Sequence, residues 1–165
     1  MPVTTVRAKL RASLSKKLVP VLIAKGFRGP SDLEGNSLVH EYRRSTDQGT
    51  QVLEIQFERH QLPRFVINLY VEPLGGVKAL MRKGGTIMSG RLKARMGATT
   101  RSWFRADRSW WEAMILGRRG TLENEAVDLC LSLLPEVEGW WATQRSSSHI
   151  SSSPVNYVAE NTAGI

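Results

Sequence analysis

The sequence predicts an α+β fold: an N-terminal helix, an antiparallel β-meander of three to five strands, and a C-terminal helix packed on one sheet face. Three observations carry this. Apolar residues recur at helical spacing near the start of the chain and again after Thr121, and between those regions they alternate at the two-residue period of strands. The linkers between the alternating runs are short, which favours antiparallel neighbours over parallel crossovers. A chain of 165 residues with 41% hydrophobic content has enough apolar surface for one core.

Residues 3–25 predict the first helix, because Val3, Val6, Leu10, Leu14, Leu18, Val21 and Leu22 step by threes and fours along one stripe. Arg7, Arg11 and Lys17 flank the stripe, where their stems pack while their charges reach water; Lys9 and Lys16 lie on the far side. Pro20 is placed to bend the helix or end it early, and Gly26 to stop it. A polar stretch, 28–36, follows.

Three strand candidates come next. Residues 38–44 alternate weakly. In 52–60, Leu53, Ile55 and Phe57 oppose Glu54, Gln56 and Glu58. In 65–72, Phe65, Ile67, Leu69 and Val71 oppose Val66, Asn68, Tyr70 and Glu72. Residues 73–90, with glycines at 75, 76, 84, 85 and 90, read as a loop holding one or two helical turns at 77–82. Further strands are expected at 91–96 and 101–105, and a short helix at 110–116. The closing helix, 122–143, sets Leu122, Ala126, Leu129, Cys130, Leu133, Val137 and Trp140 on one face. Thr121 is its N-cap, Glu123 and Glu125 suit its first turn, and Pro135 is placed to kink it. The domain is thus expected over 1–143, with the Ser-rich residues 144–165 as a flexible tail.

The formal charge of +8 draws anions: nucleic acid, an anionic membrane or an acidic protein. The charge is segmental. Residues 1–30 carry seven basic groups and no acid, 78–108 nine basic groups and one acid, and 121–138 five acids and no base. The single cysteine, Cys130, excludes an intrachain disulfide and suggests a reducing, cytoplasmic setting. No Cys/His cluster has zinc spacing, so neither a metal nor another cofactor is expected. The longest apolar run, Leu18–Ala24, is too short to span a bilayer and contains Pro20. No small-residue cleavage site follows it, which argues against a secretory signal. Residues 1–28 have the basic, acid-free composition of an organellar presequence, but a structural first helix is the preferred reading.

Four groups of residues are candidates for chemistry. Glu54, Glu58 and His60 share a strand face with Gln56, and Asn68 lies beside them on the next strand. Carboxylates with a histidine suit general acid/base work, yet Glu54 and Glu58 would stand about 13 Å apart, too far for a glycosidase pair. Cys130 sits mid-stripe and reads as a buried small hydrophobe. The glycine-rich stretch 75–90 carries Lys78, Arg82 and Lys83 but lacks the spacing of a nucleotide-binding loop. The segment 101–111 interleaves arginine and tryptophan, suited to stacking bases and neutralising phosphates or to forming a protein hot spot. The candidate binding residues are therefore Trp103, Arg105, Arg108, Trp110 and Trp111, joined by Arg95, Glu58 and Asn68.

Several strings resemble a bacterial family, domain of unknown function four-three-zero-four. They are Leu18–Phe27 (LVPVLIAKGF), Ile55-Gln56-Phe57-Glu58, Ile67-Asn68-Leu69, Arg95-Met96-Gly97, the tryptophan-bearing 103–111 and the closing helix. The resemblance runs in order over roughly 10–143. Gln56 stands where the family favours Asn, and Glu58 where it favours Gln. The resemblance implies that the first helix belongs to the domain. The function expected is a non-enzymatic bacterial binding module acting through a protein partner, in a toxin-neutralising or other accessory role. One alternative is a nucleic-acid-binding protein using the N-terminal helix and segment 91–111. The other is an enzyme using the Glu54/Glu58/His60 face.

Overall fold

The computed structural model describes residues 5–33, 35–107 and 121–157. Helix α1, Val6–Ala24, begins where Thr5 Oγ1 accepts the Ala8 N–H at 3.2 Å. Pro20 does not end it. The helix stops at Gly26, whose φ of +87° suits glycine. Gly26 N–H bonds Ile23 C=O at 2.9 Å and Phe27 N–H bonds Leu22 C=O at 3.0 Å, which folds Phe27 back onto the last turn. Leu10, Leu14, Leu18 and Leu22 are buried, as the periodicity predicts, whereas Val6 is exposed.

One antiparallel sheet of six strands follows: β1 (Val39–Thr46), β2 (Gly49–Phe57), β3 (Arg64–Glu72), β4 (Gly85–Leu92), the short β5 (Phe104–Arg105) and β6 (Ile150–Tyr157). The order is β1-β2-β3-β4-β6, with β5 pairing the start of β3. Cross-strand partners share a face, so Ile55, Ile67, Leu92 and Ile150 form one apolar row, and Leu53 and Leu69 belong to the next. The N-terminal and closing helices pack on that face, while the other carries Glu54, Gln56, Asn68, Tyr70 and Arg91 together with the buried Val52 and Val66. The short helix α2, Gly76–Lys83, has no buried residue.

The expected α+β architecture is therefore present with a larger sheet. β4 starts at Gly85, inside the stretch expected to be loop. The closing helix is two helices, α3 (Leu122–Ser132) and α4 (Leu134–Thr143), because Pro135 occupies the first turn of α4, where its missing N–H is not needed. Leu129 is exposed rather than in the core, and Val127 is buried instead. Val3, the helix expected at 110–116 and residues 158–165 lie outside the described residues.

The largest correction concerns 144–157, the described part of the expected tail. Ile150–Tyr157 pairs with β4 along its whole length, and Ile150 is fully buried. Two contacts dock this strand. Trp140 Nε1 donates to Ser152 Oγ at 2.6 Å, and Glu136 accepts the His149 backbone N–H at 3.1 Å. The serines themselves close the outer edge. His149 C=O faces β4, accepting from Lys93 N–H at 3.0 Å, so even-numbered residues turn their backbone groups outward. Ile150 C=O takes the Ser147 N–H, Ile150 N–H goes to Ser147 Oγ, and Ser152 N–H goes to Ser146 Oγ. Pro154 has no N–H to offer. A composition that reads as linker is thus a strand whose outward donors are occupied or absent through residue 154.

Adjacent tryptophans at the end of α4 are both buried. Trp141 packs on Phe27, and Trp140 lies over β4, where a Cβ on Gly90 would sit 2.6 Å from its Cε2. Gly90→Ala must displace the indole and is expected to lose about 1–3 kcal/mol of stability in urea unfolding. Gly139→Ala, on the same helix with nothing within 4 Å of its added Cβ, should be neutral or stabilising. Equal midpoints for the two variants would show that the indole does not rest on Gly90. For the strand edge, Ser146→Ala with Pro154→Val should produce dimers or larger species in light scattering. A monodisperse profile matching the wild type would remove the edge-blocking role.

Candidate functional site

The residues predicted to act together are divided among three places. The first is a hollow of about 610 Å³ at one end of the sheet. Leu38 and Val39 enter it from the start of β1, Phe57 from the end of β2, Leu62 from the turn that follows, and Trp103 from beside β5. Leu38, Val39 and Leu62 remain 38%, 42% and 39% exposed, while Phe57 and Trp103 are buried. Arg59, His60 and Thr100 stand on the rim.

Glu58 shapes this hollow from within. It is only 5% exposed, and its carboxylate accepts the His60 N–H at 2.6 Å and the Leu62 N–H at 3.3 Å. It therefore fixes the turn that carries Leu62, and those two bonds account for a carboxylate that the sequence reading offers as a binding group. Glu54 lines a different hollow, on the open sheet face. The structure does not bring Glu54, Glu58 and His60 to one site.

The second place is the arginine–tryptophan segment. Trp103 is 9% exposed, so most of its indole is core. Its edge joins Arg95, Arg101, Arg105 and α3 residues Ala126 and Leu129 around a hollow of about 330 Å³. Arg95 and Arg101 are exposed. Arg105 contacts Asp107 at 3.4 Å, and Asp107 also takes Arg64 Nε at 2.9 Å. Burial pushes the Asp107 carboxyl up, but the two guanidiniums outweigh it and hold it below the usual carboxylate range. Arg108, Trp110 and Trp111 lie outside the described residues.

The third place is the open face of β2–β4, centred on Asn68. Its Nδ2 donates to Gln56 Oε1 at 2.8 Å and Glu54 Oε2 at 3.3 Å, and its Oδ1 accepts from Arg91 Nε at 2.8 Å. The amide is fully used as a hub between strands. Tyr70 Oη lies 3.2 Å from both Glu41 and Glu54; burial first, and then the two carboxylates, raise its phenol far above the ordinary value. Arg43 closes this face by clamping Glu72 at 2.7 and 2.9 Å and pairing with Glu41.

Sequence reasoning missed one buried cation. Arg11, expected with its charge in water, is 6% exposed. Its terminal nitrogens donate to Leu33 C=O at 2.6 Å and Ser37 C=O at 2.5 Å, and one approaches His40 Nε2 at 3.0 Å. The guanidinium lies over the Phe57 ring at 4.0 Å. A loop crossing α1 needs donors for its carbonyls, and a fork of five N–H groups supplies them. No periodicity of apolar residues announces such a role.

Cys130 is fully buried, and burial pushes its thiol up, so it packs rather than reacts. Among the described residues, no group of three or more His, Cys, Asp or Glu is placed to hold a metal ion. No described helix is long and apolar enough to cross a membrane. No protein-family model, curated protein or solved structure matches the chain.

The Arg11–His40 contact requires a lone pair on His40 Nε2 and hence a neutral ring. Burial, and then Arg11, lower the His40 pKa below its ordinary value of about 6.5. The unfolded chain therefore takes up this proton first. Stability from the contact is complete above pH about 6.5 and is lost as the pH falls from there through the lowered folded value. His40→Gln offers Arg11 an amide oxygen that does not titrate, so the acid limb of a Tm–pH curve should flatten. An acid limb unchanged from the wild type would remove His40 from this role.

Proposed function

We propose that the protein is a non-enzymatic binding module whose partner is another protein, docked at the hollow of Leu38, Val39, Leu62, Phe57 and Trp103. One observation carries the reading: three half-exposed aliphatic residues line one hollow with the buried aromatics Phe57 and Trp103, together with the exposed Arg59, His60 and Thr100. An apolar centre with a polar rim is the anatomy of a protein interface. A buried tryptophan at its base suits the desolvated anchor pocket where binding energy concentrates. Exposed apolar clusters on a polar protein mark contact sites more often than isolated exposed leucines do. The separation of Glu54 from Glu58 and His60, and the burial of Cys130, support a module without catalysis. A cytoplasmic setting fits the single, buried cysteine.

A second reading rests on Arg95, Arg101 and Arg105 gathered around the edge of Trp103, which suits a phosphate backbone. The apolar hollow weighs against it as the main site, and an indole 9% exposed offers little face for stacking a base. The N-terminal helix adds less positive field than its composition suggests, since Lys17 pairs with Asp128 and Lys25 with Glu138.

Affinity capture from native cytosol, quantified by mass spectrometry, separates the two. Leu62→Asp should reduce capture of the bound protein at least tenfold, about 1.4 kcal/mol, while Arg101→Gln leaves it in place. Nucleic acid retained at low salt, released by Arg95→Gln or Arg101→Gln and indifferent to Leu62→Asp, would replace the protein reading. Capture that Leu62→Asp does not alter would sink the hollow as the docking site.

A further inference from the structure

The open sheet face holds a second hollow, of about 440 Å³, distinct from the proposed docking site. Strand register builds it. Asn68, Arg91 and Ser151 stand opposite one another across β3, β4 and β6, and Tyr70, Ser89 and Ser153 form the adjoining row. Neighbouring strands are about 4.8 Å apart, so the two rows make a compact frame of side-chain donors. Lys93, two residues along from Arg91, closes one side, and Glu54 closes the other.

The charges in this frame are not balanced. Elsewhere on this face each arginine meets a carboxylate: Arg43 holds Glu41 and Glu72, and Arg64 holds Asp107. Among the described residues, Arg91 bonds only neutral oxygens, Asn68 Oδ1 at 2.8 Å and Gln56 Oε1 at 3.4 Å. Its remaining terminal nitrogen makes no hydrogen bond among the described residues. Lys93 Nζ donates to a backbone carbonyl, Gly97 C=O, at 2.7 Å, leaving two N–H groups. Glu54 accepts from Asn68 and Tyr70 rather than from either cation. Burial, and then the charge of Arg91, lower the Lys93 pKa, as expected where two cations stand close together.

We propose that this hollow binds the phosphate group of a small hydroxylated phosphate monoester, held by Arg91, Lys93 and Ser151. A guanidinium fork, an ammonium and a hydroxyl match the three acceptor oxygens of a tetrahedral phosphate. The hollow is larger than a phosphate group alone, and the surplus lies beside Ser89, Ser153 and Tyr70. There a ligand hydroxyl finds in Glu54 an acceptor whose carboxylate retains free lone pairs. Glu54 also repels a second anionic group, which favours a neutral, hydroxylated tail over a diacid.

Glycerol 3-phosphate is a suitable probe, followed by backbone amide shifts in the full chain. Resonances of Ser89–Lys93 and Ser151–Ser153 should move on titration with the ester and stay still with glycerol. Arg91→Gln and Lys93→Gln should each weaken binding at least tenfold in protein that remains folded, and Ser151→Ala less. Lys78→Gln, on the exposed helix α2, should leave affinity intact. Inorganic phosphate binding as tightly as the ester would overturn the assignment of a tail subsite. The site itself is refuted by an absence of shifts, by shifts that survive both cation variants, or by an equal loss with Lys78→Gln.

Discussion

Everything in this fold depends on the register of β2 against β3. Leu53 opposite Leu69, Ile55 opposite Ile67, and Phe57 opposite Phe65 make one face uniformly apolar. The same register puts Glu54 opposite Asn68 on the other face. Side chains alternate with a period of two, so a slip of one residue would bury the polar set and expose the apolar one. The helices have one face to cover, and the hydrogen-bonded hub at Asn68 exists because the register sets it between Gln56, Glu54 and Arg91. Packing on one face and chemistry on the other share a single cause.

The second constraint is the pair of sheet edges. Unpaired backbone donors on an edge invite further strands. β1 is strapped by the chain itself: Arg28 and Arg43 exchange both backbone bonds at 2.8 Å, and Tyr42 Oη donates to Pro30 C=O at 2.9 Å. Gly29 is required there, since a Cβ would lie 2.5 Å from the Tyr42 ring. β6 uses serine hydroxyls and a proline. Both devices cover backbone groups rather than adding core.

What could be read in the sequence follows from these constraints. The stripe of α1, the alternation of β2 and β3, and the burial of Cys130 are local patterns with a period, so they were legible. The sequence shows Glu58 and Asn68 as polar residues on a strand, but it does not say which hydrogen bonds they will spend. Glu58 is committed to the turn at His60 and Leu62, and Asn68 to the hub. β6 was illegible because serine and proline are weak strand formers, and only the indole of Trp140 and the edge of β4 give them a place. Arg11 was misplaced for a similar reason: its partners, Leu33, Ser37 and His40, lie 22 to 29 residues away. Leu38, Val39 and Leu62 carried no signal individually, since a single exposed aliphatic is ordinary.

The segmental charge also changes meaning once the chain is folded. The basic first helix and the acidic closing helices read as a dipole presented to partners, yet they face each other. Lys17 meets Asp128, and Lys25 and Arg44 meet Glu138. Ser13 joins the same seam by donating to Asn124 at 2.7 Å. These half-exposed pairs add little stability, about 0–1 kcal/mol each, and on the N-terminal segment they offset the charges of Lys17 and Lys25. The cations left without a described carboxylate include Arg7, Lys9 and Lys16 on the first helix, and Arg91, Lys93, Arg95 and Arg101 on β4 and the segment after it. The attraction for anions that a charge of +8 implies is therefore shared between the first helix, where the sequence displays it most plainly, and the region where the open face meets that segment.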